Sequence, residues 1–266
     1  MTPLSAFAEF RAPVDWQRID FISDLHLCES APRTFDRFVS YLHETPADAV
    51  LILGDLFDAW IGDDVRFGGF ERQCTDVLAQ ASRRLRGVGL MVGNRDFLVG
   101  SAFLHDCGVM ALADPTVVDA FGERVLLTHG DSLCLADTDY QHFRSVVRRA
   151  DWRAEFLARP LAERRDAARR LREQSELRKH GERGGTDRVD VDLPAALIWL
   201  QAANAPTMIH GHTHRPGSER LAAGYTRHVL SDWDLDSLGI PPRAEVLRWE
   251  APGFRRETLV PGRLAA

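Results

Sequence analysis

The chain has 266 residues, of which 45% are hydrophobic and 27% charged, with a formal net charge of -6. That length and composition fit one globular domain with its own core, and the acidic balance speaks against a nucleic-acid partner, which calls for a broad basic footprint. No apolar run approaches the roughly 20 residues that a bilayer span needs, so any membrane contact is expected to be peripheral.

Residues 1–17 carry Glu9, Arg11 and Asp15 and lack the apolar centre of a secretory signal, so they read as a loose N-terminal extension to a domain over 18–260. Short apolar runs then recur, each halted by polar residues: IDFIS before Asp24, AVLIL before Gly54, GLMV before Gly93, RVLLT before His129 and TMI before His210. Runs of this length and ending are expected to be strands of a covered sheet. Between them, Phe35, Phe38, Val39 and Leu42 recur at helical spacing over 33–43, and Val77, Leu78, Ala81 and Leu85 over 71–86. The alternation predicts an α/β domain whose polar site lies at the carboxyl ends of the strands.

From about 138 to 190 the pattern changes to a helical, arginine-rich stretch interrupted at Pro160, which reads as an inserted helical cap. Over 138–183 its basic residues, twelve Arg plus Lys179, outnumber the acidic ones. Such a segment can be a solvated helix face with i to i+4 pairs, such as Asp166 with Arg170, or a lid that attracts an anionic substrate or membrane surface. After His214, the runs LAAGYTRHVLSDW and RAEVLRWEAPGFRRETLV predict short strands of a second, partly antiparallel sheet. Cys28, Cys74, Cys107 and Cys134 form no C-x-x-C pair, which points to buried filler in a reducing, cytoplasmic setting.

Five polar clusters follow the predicted strand ends: Asp24-Leu25-His26, Gly54-Asp55, Gly93-Asn94-Arg95-Asp96, His129-Gly130-Asp131 and His210-Gly211-His212-Thr213-His214. Alone, each has a bland reading; Asp55, for example, could simply cap a helix. Together they offer carboxylate, imidazole and amide ligands. D-x-H and H-x-H would place alternate side chains on one side of an extended strand end. Such a mixed set favours Mn²⁺, with Mg²⁺ or Fe²⁺ as alternatives, over structural zinc. Asp96 and Asp131 are expected to orient neighbouring groups, Asp58, Asp63 and Asp64 to do the same or lie exposed, and His214 to be structural.

The strings DLH, GDLFDAW, GNRD, THGD and HGHTH resemble the successive motifs of the calcineurin-like metallophosphoesterases over residues 20 to about 234. The resemblance implies a two-sheet α/β/β/α sandwich holding two Mn²⁺ ions, with Asp24, His26 and His212 on one, Asn94, His129 and His210 on the other, and Asp55 between them. Many members carry a histidine where this chain has Arg95. An arginine cannot protonate a leaving group but can clamp phosphate oxygens, which favours a pyrophosphate over an alkyl ester.

Longer strings, FDAWIGDD, GNRDFLVG, THGDSLC, DYQHFR and IHGHTHRP, are similar to the UDP-2,3-diacylglucosamine pyrophosphatases of lipid A biosynthesis. That likeness implies attack by metal-activated hydroxide on the α-phosphorus, releasing UMP and 2,3-diacylglucosamine 1-phosphate. It implies catalytic roles for Asn94, Arg95 and His210, and substrate contacts at those residues and at Asp137, Ser175 and Lys179. The cap, with Phe143, Val146, Val147, Trp152, Phe156, Leu157, Leu161 and Leu171, would cover the acyl chains. The partners implied are the UDP-linked lipid and the cytoplasmic face of the inner membrane, with no nucleic acid and no obligate protein partner.

Overall fold

The computed structural model describes residues 7–181, 189–222 and 224–260, with only the helix path given over 174–181. Twelve strands form two six-stranded sheets. In the first, β2 (Ile19–Ile22), β3 (Ala49–Leu53), β4 (Gly87–Met91) and β5 (Met110–Leu112) run parallel, and β11 (Glu245–Glu250) and β12 (Gly253–Thr258) extend them antiparallel beyond β2. The second has the order β1 (Ala8–Arg11), β6 (Thr116–Ala120), β7 (Glu123–Leu127), β8 (Thr207–His210), β10 (Tyr225–Val229), β9 (Gly217–Ala222).

Side-chain alternation along each strand explains the layering. In β3, Ala49, Leu51 and Leu53 face the core between the sheets, while Val50 and Ile52 face the layer of α1 (Pro32–Glu44), α2 (Gly69–Arg84) and α3 (Ser101–Cys107). In β7, Val125 and Leu127 point to the shared core, and Leu126 packs outward with Ala196 and Leu200 of α7 (Leu193–Ala203). Both faces of each strand are thus apolar, which produces continuous runs in place of alternating ones. The result is the expected α/β/β/α sandwich.

Two details depart from the sequence reading. Sheet membership differs: β2, β3 and β4 lie in the first sheet and β7 and β8 in the second, and of the C-terminal runs expected in the second sheet only β9 and β10 join it, β11 and β12 extending the first. With both sheets covered on both faces, run composition carries no sheet identity. The N-terminal stretch is not loose from residue 8 onward, because Ala8–Arg11 pairs in parallel with β6 and the Trp16 indole is buried in the core between the sheets.

The cap comprises α4 (Thr138–Val147), α5 (Ala150–Leu157) and α6 (Leu161–Gly181). Its base is pinned by Arg164, whose Nη1 donates to the Ile61 carbonyl at 2.6 Å and to Asp64 Oδ1 at 2.8 Å, while Nη2 pairs with Asp64 Oδ2. Asp63 is likewise structural, accepting from the Gly100 and Phe103 amides at 2.9 and 3.0 Å.

Under the C-terminal end of α1, Asp20 is fully buried and accepts from Arg248 Nε and Nη2 at 2.7 and 2.8 Å, Thr45 Oγ1 at 2.7 Å and Tyr41 OH at 2.8 Å. Arg248→Met leaves this carboxylate without its cation, so a loss of about 3–5 kcal/mol is expected in urea unfolding. A change under 1 kcal/mol would show that Tyr41 and Thr45 suffice.

Candidate metal centre

The clustered residues meet where the carboxyl ends of both sheets converge. Asp24, Asp55 and Asn94 follow β2, β3 and β4, while His129, His212 and His214 follow β7 and β8. The loops are laced together, with Asp24 N donating to Gly54 O at 3.1 Å, His26 N to Asp55 O at 3.0 Å and Gly211 N to His129 O at 3.0 Å. Asp24, His26, Asp55, His212 and His214 all have φ between +48° and +65°. This corrects the reasoning from strand alternation: the side chains converge through left-handed turns past the strand ends. Such backbone costs on the order of 1–3 kcal/mol per residue and persists where neighbours enforce it.

Two groups of ligand atoms result. Asp24, His26 and His214 offer atoms within 4.8 Å of one another, and so do Asp24, Asp55 and His129. His214 Nε2 lies 3.3 Å from both Asp24 Oδ1 and His26 Nε2. On the other side, Asn94 Oδ1 is 2.9 Å from His129 Nε2 and 2.8 Å from His212 Nδ1. Asp55 lies between the groups, Oδ1 at 3.7 Å from His129 Nε2 and Oδ2 at 4.0 Å from His26 Nδ1.

His129 supplies a test of fit. Its Nδ1 donates to the Leu53 carbonyl at 2.8 Å, so in the neutral ring Nε2 presents a lone pair to the Asn94 oxygen. Two acceptors at that distance repel unless a cation or a proton lies between them. The buried carboxylates and inward-facing imidazoles therefore fit a dinuclear metal site.

His210, expected as a ligand and catalytic group, is not brought into this cluster. Its Nδ1 turns back onto the Gly211 carbonyl at 2.8 Å, and its Nε2 is buried without a partner among the described residues, outside the cavity lining. Burial holds it neutral by lowering its pKa to about 4. His214, expected to be structural, occupies the place instead. The step of two residues within H-G-H-T-H keeps the spacing, so spacing alone does not tell which pair joins the cluster.

Groups behind the cluster fix it. Asp96 accepts from Gly93 N at 2.7 Å and Leu56 N at 2.8 Å, holding both metal-site turns from within. Asp232, which the sequence reading missed, lies 3.5 Å from His214 Nδ1 and is held by Arg243 at 2.6 Å; its position after the β10 run was the available signal. Asp131 is held by the Tyr140 hydroxyl and by Arg144 Nε at 2.8 Å. A Cβ at Gly93 would collide with Asp55 Oδ1, and one at Gly54 with the His129 ring. Glycine is required at both positions.

His26, Asp55, Asn94, His212 and His214 of the cluster line a cavity of about 440 Å³ that Ile61, Phe97, Phe143, Trp152, Phe156 and Leu171 also line. Of the other cap residues, Val147 and Leu161 pack into the core, and Val146 and Leu157 are exposed. Arg95 and Asp137 both line the cavity, although Asp137 also caps α4 by accepting from Tyr140 N at 3.0 Å. Asp58 lies between Arg95 Nη1 at 3.5 Å and Arg172 Nη1 at 2.9 Å. The side chains of Ser175 and Lys179 lie outside the described residues.

Burial pushes the Asp24 carboxyl up, but His214, His129 and His26 outweigh it and hold the group ionised. Burial raises Asp55 to about 7 against the pull of His129. Burial would lower His129, yet Asp55, Asp24 and Asp131 lift it to about 9. A divalent cation must displace that proton. Mn²⁺ affinity of the chelated protein is therefore expected to climb as pH rises from 6.5 to about 9 and to level off above. Calorimetric titrations giving one affinity throughout that window would refute proton displacement.

Residues 17–216 match the sequence pattern of the calcineurin-like phosphoesterases. The chain is 42% identical over 253 residues to the UDP-2,3-diacylglucosamine hydrolase of Stenotrophomonas maltophilia strain K279a, covering 90% of this chain and 97% of that one. It is 41% identical to the protein of that name from Aromatoleum aromaticum, covering 88% and 93%, and 44% identical to that from Marinobacter nauticus, covering 80% and 88%. By the matched pattern over residues 17–216, and by identity above 40% over most of both chains, the chain belongs to the calcineurin-like phosphoesterase family.

Proposed function

We propose that this protein hydrolyses the pyrophosphate bond of UDP-2,3-diacylglucosamine, releasing UMP and 2,3-diacylglucosamine 1-phosphate for lipid A biosynthesis. The observation that carries this reading is a single cavity lined both by residues of the metal-binding cluster with Arg95 and by apolar residues of the cap. A substrate with a pyrophosphate next to two acyl chains matches that combination. The relatives named for this hydrolysis supply the substrate class.

Asp24, His26 and His214 would hold one ion, Asn94, His129 and His212 the other, with Asp55 between them. Two divalent cations, with Mn²⁺ as the proposed species, supply Lewis acidity that lowers the pKa of an attacking water and offsets phosphate charge. The chain's own groups do the rest. Arg95 binds phosphate oxygens, and Asp58 orients its guanidinium. Water adds to the α-phosphorus, the bond from that phosphorus to the bridging oxygen breaks, and the departing phosphate needs little protonation. Phe143, Trp152 and Phe156 keep water from the acyl region. The substrate is a membrane lipid and the cap has exposed apolar residues, so the enzyme would work at the cytoplasmic face of the inner membrane.

Incubation with UDP-2,3-diacylglucosamine and Mn²⁺ should release UMP, and EDTA should abolish that release until Mn²⁺ is restored. No UMP, or equal turnover of a UDP-sugar without acyl chains, would defeat the assignment. Asp55→Ala is expected to lower kcat by about 10³-fold or more, a scale set by the dependence of such chemistry on the metal pair, while the circular dichroism spectrum stays unchanged. Activity within tenfold of wild type would remove Asp55 from the bridging position.

A further inference from the structure

Arg148, at the C-terminal end of α4, reaches out of the cap into the metal centre. Its Nη2 donates to the Gly93 carbonyl at 2.8 Å, its guanidinium lies 5.3 Å from the centre of the Phe97 ring, and Nη2 is 3.8 Å from Asp131 Oδ2. Gly93 and Phe97 bracket the turn that carries Asn94 and Arg95. Within the turn, Gly93 N donates to Asp96 at 2.7 Å; the loop after β3 holds it from outside, with Arg95 N donating to Asp55 Oδ1 at 2.8 Å and Arg95 O accepting from Trp60 N at 3.2 Å. Arg148 holds it from the cap.

We propose that Arg148 is a positioning residue through which cap helix α4 fixes the Gly93–Asp96 turn and thereby the aim of the Asn94 amide oxygen at His129 and His212. The inference rests on the dinuclear reading above. The physical ground is orientation. A ligand oxygen lying 2.8 and 2.9 Å from two imidazoles tolerates little rotation of its backbone, and the Gly93 carbonyl belongs to the peptide that precedes Asn94. A charge-assisted bond to that carbonyl, from a guanidinium that also lies over the Phe97 ring, fixes the peptide plane. Asp131 keeps the guanidinium in place, and Tyr140 and Arg144 of the same helix hold Asp131 in turn. The cap is thus part of the construction of the Asn94 ion position as well as a cover for the substrate.

The test is calorimetric titration of the chelated full-length protein with Mn²⁺. Wild type should take up two ions. Arg148→Met should weaken one of them by about tenfold or more, the scale known for groups that orient metal ligands, and leave the other unchanged, with the unfolding temperature in EDTA the same as wild type. Arg148→Lys keeps the charge beside Asp131 but lacks the forked guanidinium that contacts the Gly93 carbonyl and the Phe97 ring together; it should show the same one-site loss in weaker form and serves if the Met variant does not fold. Arg172→Met removes a cap arginine of the same cavity that pairs with Asp58, and it should keep both affinities. Wild-type affinities at both positions in the Arg148 variants would overturn the inference while leaving the dinuclear reading intact. Fewer than two ions in wild type would overturn that reading and the inference with it.

Discussion

Asp24 and Asp55 are buried within reach of each other, and that proximity is the constraint to which the rest of the molecule answers. Like charges in a water-poor cleft repel strongly, so the arrangement persists only because cationic or cation-accepting groups surround it. Here the compensation comes from imidazoles: His214 and His26 beside Asp24, and His129 beside Asp55. In the metal-free protein the carboxylates answer by raising the His129 pKa and holding a proton. Under the proposed function, the same side chains would serve as ligands once cations bind. One set of residues satisfies both states, which explains why the fold tolerates the site before it is loaded.

Holding those charges together requires backbone that a regular element cannot supply. The strands deliver each loop to the same edge, but the side chains turn inward only because Asp24, His26, Asp55, His212 and His214 adopt left-handed conformations. Glycine at 54 and 93 lets the loops approach until Asp55 and the His129 ring fill the space that a Cβ would occupy. The strain is offset by a continuous apolar core between the sheets, in which Phe21, Leu51, Met91, Leu127 and Ile209 lie directly below the loops. Rigidity at the site is therefore inherited from packing in the sandwich.

The parts of this architecture legible in the sequence were those encoded locally. Apolar runs ending in Asp, Asn or His marked β2, β3, β4, β7 and β8, and the arginine-rich break marked where the cap helices begin. Sheet membership was not legible, because strands covered on both faces look alike whichever partner they choose. The exchange of His210 for His214 has a similar origin. H-G-H-T-H offers two pairs with the same spacing, and only the turn at His212 and His214 decides which pair faces the loops of the first sheet. Asp232 and Arg243, remote in sequence from the motifs, declare their role only when the sheets close. The basic excess of the cap read as a solvated face or as a lid attracting an anionic substrate or membrane surface; Arg149 and Arg169 do lie exposed, whereas Arg144, Arg148, Arg164 and Arg172 reach Asp131, Gly93, Asp64 and Asp58.

Those inward arginines change how the cap is to be understood. A cover attached only by apolar packing could slide over the site at little cost, since dispersion contacts have no preferred direction. Directional, charge-assisted bonds fix the register of α4 and α6 against the loops below. The apolar lining from Phe143, Trp152 and Phe156 is then held at a set distance from Arg95 and the ligand cluster. For a cavity lined by both ligand-bearing and apolar residues, that distance would select among substrates: under the proposed function, a molecule must present its phosphates and its apolar body with the matching separation. Cap position and ligand geometry are in this way set by the same bonds.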